Sequence, residues 1–166
     1  MSQSQYLLHI RKDALKFASA HMTVFPGGEK EALHGHNYSV EVSLEVKRID
    51  FESTLPFSEV KKVMRGICEE WDEKVLIQKQ CPFFRLVKKD AAEVEFLLCQ
   101  KRYLLPAEEV IFLELDNVTS ESLAQEFNRR LLEGLKRLDQ FELIQSLTVK
   151  IEESPGQGGT CIWRRK

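Results

Sequence analysis

Hydrophobic and polar residues alternate most regularly between residues 34 and 44, where the even positions end in a run of aliphatic side chains and the odd positions are mostly polar. A period of two places successive side chains on opposite faces of a strand, so this segment predicts a half-buried β-strand. The same period from Leu15 to His21 predicts a strand before it. A turn at Pro26 to Gly28 separates the two strands, because proline and paired glycines interrupt regular structure.

Two other segments repeat their hydrophobic residues at helical spacing. Residues 57–71 place apolar side chains three and four positions apart, which predicts an amphipathic helix of about four turns with Ser58 as its cap. A second helix is predicted after Thr119 or Ser120, since either hydroxyl can cap its first turn. Its buried face begins at Leu123 and continues to Leu138.

The remaining segments complete the predicted fold. Residues 110–115 and 147–153 predict two further strands, and residues 154–159 a turn. Residues 72–106 are predicted as loops with an extra strand or a short helix. The order of elements is that of an α+β fold, a mainly antiparallel sheet with helices on one face, in one domain spanning residues 1–166.

Composition narrows the possible partners. The 166 residues are 43% hydrophobic and 30% charged, as in globular proteins, and no apolar run approaches the roughly 18 residues of a membrane helix. Lys and Arg number 24 against 26 Asp and Glu, so the basic excess of a nucleic-acid binder is absent. We expect neither a membrane nor a nucleic-acid partner. The polar N-terminal residues and the widely spaced cysteines predict a cytoplasmic protein with reduced thiols.

Histidines supply the strongest chemical signal. Three of the four, His21, His34 and His36, lie in the two neighbouring strands, and His34 and His36 share one strand face. If the strands pair antiparallel around the turn, the three imidazoles converge. Three imidazoles with an open fourth position are typical of a catalytic zinc site, although copper, iron and nickel also accept imidazole. Three unrelated histidines would leave buried imidazoles without partners, which is costly.

Four short motifs follow one another along the chain: Phe17–His21, Leu33–Tyr38, Val118–Glu121 and Val149–Ser154. Together they resemble the 6-pyruvoyl-tetrahydropterin synthase family, which includes the 6-carboxytetrahydropterin synthases of queuosine biosynthesis. The resemblance implies a tunnelling fold, a four-stranded antiparallel sheet with two helices. It also implies a homo-oligomer, a trimer or a dimer of trimers, in which the sheets close a barrel and the active site lies between subunits.

The resemblance also assigns residues to roles. It implies that His21, His34 and His36 bind Zn²⁺ and that Glu153 anchors a dihydropterin, whose ring N–H and amino group can donate two parallel hydrogen bonds to a carboxylate. Thr119 and Ser120 could donate to the same ring, although capping the helix accounts for them equally well.

The chain departs from the family at the expected catalytic positions. The family's cysteine before His-Gly-His is absent, and Glu31 stands three residues before His34, which resembles the Glu-x-x-His-Gly-His branch that acts on dihydroneopterin for folate synthesis. Asp72 and Glu73 stand where the family usually has Asp-His. Glu31, Asp72 and Glu73 are therefore the candidate catalytic residues, although Glu31 could also be an exposed loop charge.

The predicted function is that of a zinc-dependent pterin lyase or synthase. Glu31 would take a proton from a side-chain hydroxyl of 7,8-dihydroneopterin and start a retro-aldol cleavage to 6-hydroxymethyl-7,8-dihydropterin and glycolaldehyde. One alternative is a 6-carboxytetrahydropterin or 6-pyruvoyl-tetrahydropterin synthase that acts on the triphosphate without the usual cysteine. Another, of a different class, is a catalytically silent pterin-binding or purine-binding protein.

Overall fold

The structure, a computed structural model, describes residues 6–51 and 53–166. Within these residues the chain forms β1 (Tyr6–His21), β2 (His34–Val46), α1 (Phe57–Trp71), β3 (Lys74–Gln78), β4 (Phe84–Lys89), β5 (Glu93–Leu98), β6 (Lys101–Pro106), β7 (Val110–Leu113), α2 (Ser120–Leu135), β8 (Ile144–Ser154) and β9 (Gln157–Arg164). Neither α-helix in this part of the chain is long and apolar enough to cross a membrane.

Strands β1 and β2 pair antiparallel, as predicted, and form the centre of the main sheet. Strand β1 begins at Tyr6, well before the predicted start at Leu15. The sequence did not reveal this first part because a register shift between Arg11 and Lys16 interrupts the alternation that marks a strand. The pairing places His21 opposite His34. Side chains of directly opposed residues share a sheet face, so the register itself brings the histidines together.

The main sheet has six strands in the order β7-β3-β1-β2-β8-β9. The run β1-β2-β8-β9 is antiparallel throughout and is the expected four-stranded sheet. Strands β3 and β7 extend it beside β1 in parallel, so the sheet is mixed and larger than predicted. Short, buried apolar strands such as β3 lack the alternation that would reveal them in a sequence.

The two helices lie where the hydrophobic pattern predicts. Helix α1 spans the predicted residues, but Pro56 is its N-cap and no side chain caps it, so the role assigned to Ser58 is wrong. Helix α2 has the predicted cap at Thr119, whose hydroxyl accepts a hydrogen bond from the Ser122 N–H (3.3 Å). The Ser122 hydroxyl in turn accepts from the Thr119 N–H (2.9 Å) and completes a capping box.

The main core lies between the two helices and one face of the sheet. Its largest fully buried side chains include Phe17, Tyr38, Trp71 and Phe127. Phe17 stacks on Tyr38 with ring centroids 4.8 Å apart, and Trp71 and Phe127 form a T-shaped pair with ring centroids 5.9 Å apart. These contacts fix β1 and β2 against the helices directly beside the histidines.

Residues 72–106, predicted as loops with an extra strand or a short helix, instead contain β3 and a separate three-stranded antiparallel sheet, β4-β5-β6. It covers a second core that includes Met22, Val94 and Phe96. The turn between β5 and β6 uses Cys99 and Gln100 at φ 49° and 64°. Hairpin turns with positive φ are ordinarily signalled by Asn or Gly, so this hairpin has no such signal in the sequence.

The predicted turn at 154–159 is shorter than expected. Only the residues between Ser154 and Gln157 turn, with Gly156 at φ 83°, and β9 begins at Gln157. Residue 159 must be glycine, because a Cβ there would lie 2.3 Å from the Glu121 backbone nitrogen. Gly159, which in the sequence predicts part of a loop, thus allows β9 to pack closely against α2.

Candidate metal centre and adjoining cavity

The imidazoles of His21, His34 and His36 converge at one end of the β1–β2 pair. Their ring centroids are 4.6 Å (His21 to His34), 4.9 Å (His34 to His36) and 5.3 Å (His21 to His36) apart. One nitrogen from each ring lies within 4.8 Å of the others. The antiparallel pairing therefore produces the convergence that the sequence predicted.

Backbone carbonyls orient two of these rings. The Nδ1 of His21 donates to the Val118 carbonyl and that of His34 donates to the Ala32 carbonyl, both at 2.9 Å. Because a carbonyl can only accept, the proton is on Nδ1 and the lone pair on Nε2. Ligating histidines are commonly fixed by such a hydrogen bond on their other nitrogen.

The Nε2 atom of His21 is buried and has no hydrogen-bond partner among the described residues. Burial, and to a lesser degree the neighbouring imidazoles, lowers the pKa of His21 and keeps the ring neutral. An unpartnered buried acceptor is costly unless it binds something. Three imidazole nitrogens this close together fit a divalent metal ion such as Zn²⁺.

A cavity of about 310 Å³ opens beside the three histidines. Its other lining residues are Thr23, Glu31, Thr119, Ser120, Glu121, Glu153, Gln157 and Gly158. Two of the four predicted carboxylates flank the histidines, with Glu31 Oε2 at 3.9 Å from His34 Nε2 and Glu153 Oε2 at 4.0 Å from His36 Nε2. The fold thus joins most of the predicted site residues in one polar cavity.

The loop between β1 and β2 presents Glu31 to this cavity. The Glu31 N–H donates to the Thr23 carbonyl (2.9 Å), and the Lys30 ammonium donates to the Glu31 carbonyl (2.9 Å). A β-bridge between Val24 and Lys30 closes the loop. The backbone of Glu31 is therefore held in place while its carboxylate remains partly exposed.

Asp72 and Glu73 lie outside this cavity. The Asp72 carboxylate accepts a hydrogen bond from the Ala18 N–H (2.7 Å) and lines a different cavity, beside α1. Glu73, at φ 56°, lines a third cavity that shares only His36 with the histidine cavity. Within one chain, neither carboxylate joins the other predicted site residues.

Four lining residues were not among the predicted site residues: Thr23, Glu121, Gln157 and Gly158. Glu121 has a visible sequence signal, since an acid in the first turn of α2 is next to the predicted Ser120. Gln157 and Gly158 were hidden inside a segment predicted as a turn. Thr23 follows the predicted end of β1 and carries no signal of its own.

Comparison with known proteins finds a matching family and related sequences. Residues 9–162 match the family model described as 6-pyruvoyl tetrahydropterin synthase. A relative from Methanocaldococcus jannaschii, provisionally named a 6-carboxy-5,6,7,8-tetrahydropterin synthase, is 35% identical over 145 residues, 87% of each chain. A relative of the same provisional name from Pyrococcus abyssi is 26% identical over 123 residues, 74% of this chain and 69% of its own.

Solved structures share the fold. The 6-pyruvoyl tetrahydropterin synthase of Plasmodium vivax superposes with a TM-score of 0.87 at 20% identity, covering 98% of this chain and 99% of its own. Two further structures of that protein carry alanine or cysteine in place of a glutamate that is described as a catalytic residue. The enzyme from Plasmodium falciparum has a TM-score of 0.85, also at 20% identity, with 98% of this chain and 99% of its own covered.

Proposed function

The chain belongs to the 6-pyruvoyl tetrahydropterin synthase family and has its tunnelling fold, and from this premise we propose that it is a zinc-dependent lyase acting on 7,8-dihydroneopterin. The proposed products are 6-hydroxymethyl-7,8-dihydropterin and glycolaldehyde. One observation carries the proposal: a carboxylate, Glu31, lies 3.9 Å from the His34 imidazole, and none of Cys68, Cys81, Cys99 and Cys161 lines the cavity.

The cavity suits a dihydropterin in size and polarity. Its volume of about 310 Å³ is at the lower end of the range for small-molecule sites. Glu153 is mostly buried and can accept two parallel hydrogen bonds from the ring N–H and amino group of a pterin. Thr119 and Ser120 line the same cavity, so their hydroxyls could contact the other ring atoms.

His21, His34 and His36, which line this cavity, would hold the metal ion. When bound, a Zn²⁺ ion would polarise oxygen atoms of the substrate side chain as a Lewis acid. The two backbone carbonyls that fix His21 and His34 keep these rings in the tautomer that leaves Nε2 free.

Glu31 is the proposed general base. Its carboxylate takes the proton of the hydroxyl on the second side-chain carbon, whose C–O bond becomes the carbonyl of glycolaldehyde. The bond between the first and second side-chain carbons breaks, and its electron pair passes into the pterin ring. Glu31 then returns the proton to the first carbon. The glutamate described as catalytic in the Plasmodium vivax protein supports this assignment by analogy.

We infer that Asp72 and Glu73 act at the site of a neighbouring copy, since they lie outside the cavity of their own chain. Strands β7 and β9 are the two edges of the main sheet in the described chain. An edge strand presents unpaired backbone groups, which are ordinarily covered or paired unless the strand is very short, and β9 has eight residues. We propose that they pair between copies in a trimer or a dimer of trimers.

A second candidate is a 6-carboxytetrahydropterin synthase, favoured by the provisional name of the 35% identical relative. Mass spectrometry of products distinguishes the two, using the zinc-loaded protein with dihydroneopterin and, separately, with its triphosphate. Release of 6-hydroxymethyl-7,8-dihydropterin from dihydroneopterin supports the lyase. Conversion of the triphosphate alone to 6-carboxytetrahydropterin supports the second candidate. Tight pterin binding without turnover of either compound would mean a silent binder.

A further inference from the structure

Gln157 contacts the candidate pterin anchor directly. Its side-chain amide nitrogen donates to Glu153 Oε1 at 2.6 Å, while the other carboxylate oxygen, Oε2, lies 4.0 Å from His36 Nε2. An ionised carboxylate has no hydrogen to donate, so the amide must present its nitrogen. The Glu153 carboxylate is thus held on one side by an amide and faces an imidazole on the other.

The backbone of the β8–β9 hairpin places these two residues together. Glu152 pairs with Gly158 and Ser154 pairs with Gln157, so Glu153 is the extra residue of a β-bulge. A bulge turns a side chain out of the regular alternation of its strand. The close approach of the strands needs glycine at 158, where a Cβ would lie 2.2 Å from the Ile151 carbonyl oxygen.

We propose that Gln157 is a positioning residue that fixes the plane of the Glu153 carboxylate and thereby selects ligand rings with adjacent N–H and amino donors. This inference rests on the proposed pterin function and assigns the specificity of the same site. A carboxylate offers about four lone-pair positions, so the Gln157 hydrogen bond leaves enough for both ring donors. A fixed carboxylate plane lets both ring donors bind at once, whereas a freely rotating carboxylate gains less binding free energy from the second donor.

The location of Gln157 agrees with this role. Its side chain lines the same cavity as the three histidines and Glu153. It is exposed and is the first residue of β9, where a substitution removes no buried contact. Its removal should therefore change ligand binding without unfolding the hairpin.

The test compares two probes, pterin (2-amino-4-oxopteridine) and 2,4-dioxopteridine, which lacks the amino group. Binding of each to the zinc-loaded full-length protein is measured by fluorescence titration for the parent, Gln157→Ala and Gln157→Glu. Gln125→Ala is the matched control, an exposed glutamine on α2 away from the cavity. Zinc content and circular dichroism of every variant verify that the site and the fold persist.

We expect Gln157→Ala to weaken pterin binding about tenfold and to leave dioxopteridine binding within about twofold, because only pterin uses both acceptor positions. Gln157→Glu should weaken pterin binding further, since it sets a second carboxylate against Glu153. The positioning role is refuted if pterin binding in both variants equals that of the parent, or if both probes weaken equally. If the parent binds neither probe, the proposed function fails and this inference fails with it.

Discussion

Replacing Glu31 by glutamine removes the proposed base while keeping the shape of the side chain. The backbone of Glu31 is held by hydrogen bonds that the substitution does not touch, to the Thr23 carbonyl and from Lys30, each at 2.9 Å. The carboxylate is 42% exposed, and its Oε2 lies 3.9 Å from the His34 Nε2. The free energy of unfolding should therefore change by less than about 0.5 kcal/mol.

The catalytic effect should be much larger than the effect on stability. General bases contribute about a hundredfold or more to a rate, which is about 2.7 kcal/mol of activation free energy. Because Glu153 and the three histidines are unchanged, KM for dihydroneopterin and the zinc content should stay close to those of the parent. The expected result is a loss in kcat with little change in KM.

The assay is the initial rate of glycolaldehyde release from dihydroneopterin by zinc-loaded protein. Glu29→Gln is the matched control, because Glu29 is an exposed glutamate in the same loop. A Glu31→Gln variant that cleaves dihydroneopterin as fast as the parent would show that Glu31 is a loop charge. Asp72 and Glu73 would then be the next candidates for the base.

Three further predictions concern the metal, the assembly and the core. His34→Ala and His36→Ala should each lose zinc at neutral pH but keep the circular dichroism of the parent. His9→Ala is the control and should keep its zinc, because the His9 ring contacts Ser43 instead. Full zinc occupancy in both site variants by elemental analysis would rule out this ligand set. Light scattering at micromolar concentration should give the mass of three or six chains, and a monomeric mass would contradict the proposed trimer. Phe127→Ala should lower the free energy of unfolding in urea by about 3–5 kcal/mol because Phe127 is fully buried. The 99% exposed Phe51 should tolerate alanine, and equal losses at both positions would refute the assignment of the core.

The elements that the sequence predicted well share a physical property: their pattern is local. Alternation in β2 and helical spacing in α1 are set by neighbours a few residues away. The histidine cluster follows from the same local pattern, because β1 and β2 are joined by a short connection and pair with each other. The convergence of the three imidazoles could therefore be derived from strand register alone.

The elements that were missed depend on distant parts of the chain. Strand β3 was missed, and it pairs in parallel with β7, the strand predicted over residues 110–115, across more than thirty residues of intervening sequence. Three consecutive residues of β3, Leu76 to Gln78, are buried, so this strand shows no alternation. The bulge at Glu153 likewise has no sequence pattern, because it exists only in the register of β8 against β9. Gln157 was missed for that reason, although its partner Glu153 was predicted.

The three-stranded sheet that the sequence did not predict packs against the loop that carries the candidate base, Glu31. A Cβ on Gly28 would lie 2.9 Å from the Phe83 ring, so the Glu31 loop packs directly against the chain that leads into β4. The Lys30 ammonium lies 5.2 Å from the centre of the Tyr103 ring in β6 and also bonds the Glu31 carbonyl. Motif comparison can therefore identify Glu31, but the conformation that presents it to His34 depends on residues 83–103, which no local pattern predicts.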